Sequence, residues 1–212
     1  MKKLIPVILA IALLISCSND KKEKTPADTP NVAIDSSLVT DSSWGAVTAS
    51  TDFTGLQTIY GRSNVTDERI CGPECVDSLD VTVIYTGTPK EIIVYWKDSA
   101  YHKSIGTLRA GGSGAPYHTS TGLKIGSTLQ DLLKQNGQKI NFSGFGWDYG
   151  GYIQSFNSGS LDKSPILFRL DLMEGDTNEL LGDTELNTDM PAVKKVLDKI
   201  QVYQLSLSFN KE

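Results

Sequence analysis

Apolar and polar positions fall into two regimes along this chain. Leu4 to Ile15 is an apolar run broken only by Pro6, and the clear periodic segments all lie well beyond it, from Phe53 onward. Helical spacing appears first at Phe53, Leu56, Ile59 and Tyr60, with Asp52 placed as an N-cap and Gly61 as the stop. It returns at Leu129, Leu132 and Leu133, where Ser127 is the expected cap and Asn136–Gly137 the end. A short strand over Gly122–Ile125 is expected to lead into Gly126 before that helix. A third helix is predicted over 190–200, with Asp189 as its cap and Pro191 in its first turn. Helices this short are marginal alone in water, so packing on a sheet must hold them.

Alternation with a period of two predicts the strands. Leu79–Tyr85 and Glu91–Trp96 flank Thr86-Gly-Thr-Pro89 and read as an antiparallel hairpin. Ser104–Arg109, Gln138–Phe142, Tyr152–Phe156, Ile166–Leu172 and Val202–Phe209 follow. Arg109–Pro116 reads as a flexible glycine-rich loop, and the acidic 173–189 as a mobile one. Local antiparallel pairing among short helices predicts an α+β fold, mainly antiparallel sheet with two or three short helices. The two helix-then-strands stretches look like weak copies of one helix-plus-sheet unit.

The leading segment changes the picture of where the protein resides. Lys2 and Lys3 precede an apolar run of twelve residues, Leu4–Ile15. A permanent span needs about 20 apolar residues, so the run fits the core of a signal peptide. Leu14-Ile15-Ser16-Cys17 resembles the lipobox of bacterial lipoproteins. That resemblance implies cleavage before Cys17 and acylation of its thiol with palmitate-type chains; two or more chains anchor firmly where one does not. The expected organisation is a signal peptide at 1–16, a flexible tether at 17–38 and one α+β domain at 39–212. The tether is charged, carries prolines and lacks aromatics, so it cannot bury enough apolar area to order itself. Ser18, by resemblance to lipoprotein sorting rules, points to the outer membrane. Asp20 and Glu23 among three lysines leave open which face of that membrane the domain occupies.

Losing Lys2 and Lys3 leaves 18 Lys+Arg against 25 Asp+Glu, a formal charge of −7. Such a chain offers no basic footprint for nucleic acid, so the membrane is expected to be reached through the lipid anchor. Cys71-Gly-Pro-Glu-Cys75 is expected to form a disulfide in an oxidising envelope. Zinc or redox chemistry is its alternative, and the spacing of three residues departs from the familiar redox motif.

Residues 144–151, Gly-Phe-Gly-Trp-Asp-Tyr-Gly-Gly, are the one unusual stretch. Phe145, Trp147, Asp148 and Tyr149 are the candidate ligand-binding residues, in a platform with Tyr95, Trp96 and Tyr117. Flat rings suit sugars or a partner's apolar side chains. The competing expectation is a bulge with its aromatics in the core. The run Gly-Leu-Lys-Ile-Gly-Ser-Thr-Leu-Gln-Asp-Leu (122–132), then Asn136-Gly137 and 142–151, is similar to a motif in an uncharacterised family of Bacteroidota-type envelope lipoproteins. Residues 56–61, 65–70, 85–92 and 96–98 are similar to that family's first half. The resemblance spans about 50–172, and implies an envelope address without implying an activity. More loosely, the tandem units resemble secreted inhibitors that clamp an enzyme.

Catalytic signatures are sparse. His102 and His118 lie outside any metal-ligand spacing, no Gly-x-Ser-x-Gly elbow occurs, and no phosphate loop follows Arg109. No metal and no cofactor are expected. Asp148 paired with Asp171 or Asp80 is the remaining acid–base option, and separation decides it. The favoured expectation is a lipid-anchored, non-catalytic binding module for a glycan, peptide or envelope protein, an inhibitor being one version. An envelope hydrolase with carboxylates near Asp148, or a structural accessory lipoprotein, are the alternatives. If Cys17 is the lipid site, Cys17→Ser abolishes labelling of the chain by palmitate in growing cells; retained label refutes the assignment.

Overall fold

In the computed structural model, residues 34–72, 75–173 and 178–210 are described. The expected signal peptide, the expected lipid site Cys17 and the expected tether up to residue 33 lie outside them. The folded unit runs from Ile34 to Glu212, and its first strand already contains Leu38.

The fold is α+β and mostly antiparallel. β1 (Leu38–Val39), β2 (Ser43–Trp44), β3 (Val47–Thr48) and β8 (His118–Thr119) make a small sheet in the order β3-β2-β1-β8, its β1–β8 pair parallel. β9 (Asn141–Ser143), β10 (Ile153–Ser155) and β12 (Glu185–Asn187) make a second, in the order β10-β9-β12. The main sheet has six strands: β4 (Val65–Cys71), β5 (Ser78–Ile84), β6 (Ile92–Trp96), β7 (Ile105–Gly111), β11 (Ile166–Leu172) and β13 (Ile200–Ser208). Its order is β11-β13-β7-β6-β5-β4, antiparallel throughout. β4 to β7, which follow the first helix, thus share one sheet with β11 and β13, which follow the second, joined where Leu207 pairs with Leu108 and Leu205 with Ala110.

Alternation decides which side of that sheet is the core. Val94, Leu108, Leu205, Leu207, Phe168 and Leu170 are buried. Their neighbours Tyr95, Arg109 and Arg169 are half-buried and point the other way, as strand geometry requires.

α1 (Phe53–Tyr60) buries Leu56 and Tyr60; Asp52 accepts the Gly55 N–H at its start, as its sequence position suggests. α2 (Leu129–Asn136) buries Leu129 and Leu132. Its cap is Thr128, not Ser127: Thr128 and Asp131 form a reciprocal capping box, while the Ser127 hydroxyl accepts the Lys124 N–H. The backbone N–H and hydroxyl of Thr128 hold the Asp131 carboxyl below the usual carboxylate range. Gly137 closes the helix in the left-handed conformation. Asn136 is buried; its amide donates to the Gln138 and Phe156 carbonyls and accepts from Leu161 N–H.

Several expectations are corrected. The third helix is one turn, α3 (Pro191–Lys194), with Met190 at its cap and no side-chain bond there. Asp189 lies exposed, 3.4 Å from Lys194. Beyond Lys194 the chain continues in turns, Val196 N–H on the Val193 carbonyl and Lys199 N–H on the Val196 carbonyl, while the Leu197 carbonyl accepts the Gln130 N–H of α2. Lys124 makes only an isolated bridge to His118, not a strand. Arg109–Gly111 belongs to β7, not to a loop. Within 173–189, β12 and the buried Leu180 and Leu186 tie the segment to the core; an acidic composition concealed them. Removing the α2 cap with Thr128→Ala should cost about 1 kcal/mol, read as a shift in the urea midpoint at constant slope.

Candidate functional site

The glycine-aromatic stretch forms a strap between two sheets. Gly144 donates to the Thr184 carbonyl at 2.8 Å, Phe145 to Leu180 at 2.8 Å, and Gly182 back to Phe145 at 2.8 Å. A Cβ at Gly144 would lie 2.6 Å from the Gly182 carbonyl, so the close approach needs glycine. Gly150 closes a turn onto Trp147 O at 2.9 Å. Gly151 donates to Ser143 O, and Leu170 N–H donates to Gly151 O.

The four candidate residues meet different fates. Phe145 is buried, tilted against Phe142 with centroids 5.9 Å apart. Trp147 is half-buried, its indole N–H donating to the Gly144 carbonyl at 2.9 Å. Asp148 and Tyr149 are exposed, and the Tyr149 ring meets Trp147 edge-on at 5.4 Å. Of the wider platform only Tyr95 comes near them. Trp96 is buried, stacked on His102 at 4.9 Å and donating to the Thr82 hydroxyl. Tyr117 is buried edge-on against Trp44 at 4.8 Å. Both lie inside because they occupy core positions in their segments.

The strap is clamped by a residue that sequence reasoning did not single out. Arg169, on β11, donates from Nε to the Gly150 carbonyl at 2.8 Å and from an Nη to the Asp148 carbonyl at 2.9 Å. Its guanidinium lies 4.7 Å from the centre of the Tyr152 ring. Arg109, on β7, sits 4.9 Å from the centre of the Tyr95 ring. Extending the alternation of Ile105–Arg109 would have put Arg109 on this outward face; nothing local marks Arg169.

These residues enclose a trough of about 520 Å³ across the outer face of the main sheet. Leu79, Tyr95 and Arg109 lie along it on β5, β6 and β7. One wall is the tip of the β4–β5 hairpin, where Cys71 and Cys75 form a disulfide with Cα atoms 4.8 Å apart. The other wall is the strap, through Asp148, Tyr149, Tyr152 and Arg169. An adjoining cleft of about 470 Å³ shares Asp148 and Arg169 and adds Trp147, Asp171 and Tyr203. Burial raises the Tyr95 hydroxyl above its ordinary value, partly offset by Arg109, so it stays a donor at neutral pH.

Of the acid pairs weighed, Asp148 and Asp171 line one cleft, whereas Asp80 is bound bidentately by Arg69 at 2.7 and 3.1 Å. His118 lies 3.5 Å from Asp35 and His102 3.7 Å from Asp67. Neither histidine lines the trough or its neighbour. Among the described residues no three His, Cys, Asp or Glu side chains are grouped to hold a metal, and no helix is long and apolar enough to cross a membrane.

Arg169→Ala removes two charge-assisted bonds to the strap. It should cost about 1.5–3 kcal/mol in a urea melt and shift Trp147 fluorescence to the red; an unchanged emission would show that the strap does not depend on the clamp.

No family model matches this chain, and no curated protein sequence matches it. Among solved structures it is similar to the uncharacterized protein yfeY from Escherichia coli, at 13% identity and a TM-score of 0.48, over 81% of this chain and 99% of that one.

Proposed function

We propose that this chain is a lipid-anchored protein of the bacterial envelope, held in the outer membrane through Cys17, and that its folded part is a non-catalytic binding module. The observation that carries the reading is the trough: two walls, a flat sheet floor, and a lining of tyrosine and arginine. Tyrosine, tryptophan and arginine supply large contact area with a polar handle and dominate recognition surfaces. Tyr149 and Tyr152 are exposed at 45% and 37%, more than their large rings need to be. The leader and the Leu14–Cys17 motif supply the envelope address, as does the resemblance to Bacteroidota-type lipoproteins. A glycan, a peptide or an envelope protein are the ligand classes that such a trough suits, and inhibition of an enzyme is one use of it.

The test is capture of ligands by the full chain from a glycan array and from envelope extracts, beside the Tyr149→Ala/Tyr152→Ala variant. Losing two exposed ring contacts should weaken capture at least about tenfold, roughly 1.4 kcal/mol, with the near-ultraviolet dichroism of the buried aromatics retained. Undiminished capture by the variant would remove the trough from consideration.

One observation favours a second reading. Asp148 and Asp171 line the same cleft, which is the minimum requirement for a carboxylate-only glycoside hydrolase. Steady release of reducing sugar that disappears in Asp171→Asn would establish that reading in place of the first.

A further inference from the structure

The donors in the trough narrow the class of its occupant. Among the described residues its polar side chains are Tyr95, Arg109, Asp148, Tyr149, Tyr152 and Arg169. A guanidinium is always charged and only donates, and a phenol is a ready donor. Asp148 is the one carboxylate among them, and it already has a partner within the protein. Two fixed positive charges therefore face one negative charge, in a chain whose formal net charge is −5. Among the described lining residues the balance is opposite in sign to that of the chain as a whole.

Both cations are held in place before any ligand arrives. Arg109 lies against the Tyr95 ring at 4.9 Å and Arg169 against the Tyr152 ring at 4.7 Å. Tyr95 responds to both Arg109 and Tyr152, so the two pairs are electrostatic neighbours. A cation–π contact engages the face of a guanidinium rather than its N–H donors, and it is those donors that meet a carboxylate bidentately. Arg169 spends two of its donors on the strap, which makes Arg109 the principal receptor.

The apolar side of the lining is thin. Among the described residues Leu79 is the one aliphatic side chain in it, a lining unlike the deep apolar socket that anchors a protein partner. Partly exposed tyrosine rings over an open floor instead match the faces of sugar rings, with hydroxyl groups within reach of phenols.

We propose that the trough binds an extended acidic saccharide, one bearing carboxylates on its rings as uronates do, with Arg109 pairing to a carboxylate and Tyr95, Tyr149 and Tyr152 contacting the rings. This rests on the binding-module reading and gives it a ligand class.

Isothermal titration of the full chain with three probes tests it: a short galacturonate oligomer, a neutral galactose oligomer of the same length, and oligoglutamate. The expected result is saturable binding of the galacturonate that weakens as salt is raised. The neutral oligomer and oligoglutamate should bind at least about tenfold more weakly. Arg109→Gln should lose at least about tenfold in galacturonate affinity, and Arg109→Lys should recover part of it, because it keeps the charge and loses the fork. The probe comparison uses the unaltered chain and stands even if a variant fails to fold. Equal binding of the neutral sugar, or no binding of galacturonate, overturns the proposal. So does a folded Arg109→Gln of unchanged affinity; preference for oligoglutamate overturns it in favour of an acidic peptide. A neutral glycan or protein whose capture is lost in Tyr149→Ala/Tyr152→Ala would leave the binding module standing while this ligand class fails. If no captured ligand depends on those tyrosines, both readings fall together.

Discussion

The trough-bearing side of this protein depends on one close approach, that of the Gly151 backbone to Leu170. Gly151 has a φ of +73°, and a side chain there would fall on the Leu170 carbonyl. Only glycine lets the strap lie against the edge of β11, where Leu170 N–H reaches the Gly151 carbonyl. That contact fixes everything beside it. Leu170 points into the core, so Arg169 must point outward, beneath the strap, where the Gly150 and Asp148 carbonyls await its guanidinium. The same contact covers the outer strand of the sheet, which would otherwise offer unpaired backbone groups to another chain.

The floor of the trough imposes a second constraint, that of register. Tyr95, Arg109 and Arg169 come from β6, β7 and β11, brought together by β13 between the last two. Because side chains alternate, a slip of one residue in the β7–β13 pairing would turn Leu205 and Leu207 toward water and misalign the outward face. Burial of the leucines on the inner face is therefore what sets the arginines on the outer face. The site is stabilised by residues that never touch it.

Much of this fold was legible because periodicity is a local property. α1 with its Asp52 cap, the β5–β6 hairpin, β11 and β13 all follow from spacing alone. The failures have physical causes. β4 reads Val-Thr-Asp-Glu-Arg-Ile-Cys, an edge strand that needs no apolar face. β1 to β3 and β12 are too short to show a period, and Trp44 is buried among them by tertiary contact alone. The third helix gives way after one turn to tighter turns, Val196 N–H on the Val193 carbonyl and Lys199 N–H on the Val196 carbonyl, which apolar spacing does not distinguish from a helix. The glycine-aromatic stretch was visible as an anomaly, but the burial of Phe145, the half-burial of Trp147 and the exposure of Tyr149 follow from how the strap crosses β11. Arg169 carried no motif at all, since its role exists only once Gly150 and Asp148 are overhead.

The two walls of the trough are held by different means, and the difference bears on how it works. The strap wall is fixed by backbone bonds, glycine contacts and the Arg169 clamp. The opposite wall is the end of a hairpin whose outer strand pairs on one side only. There the Cys71–Cys75 bridge, with Gly72 N–H on the Asp77 carbonyl at 2.7 Å, does what neighbouring strands do elsewhere. A bridge closing so short a loop removes little entropy from the unfolded chain compared with one closing a long loop. Its effect is local, tying Cys71 to Cys75 at the wall of the trough that also holds Leu79. Under the proposed binding role, where every loop ordered on contact costs affinity, a small disulfide at the hairpin tip acts as preorganisation of a wall rather than as a staple for the fold.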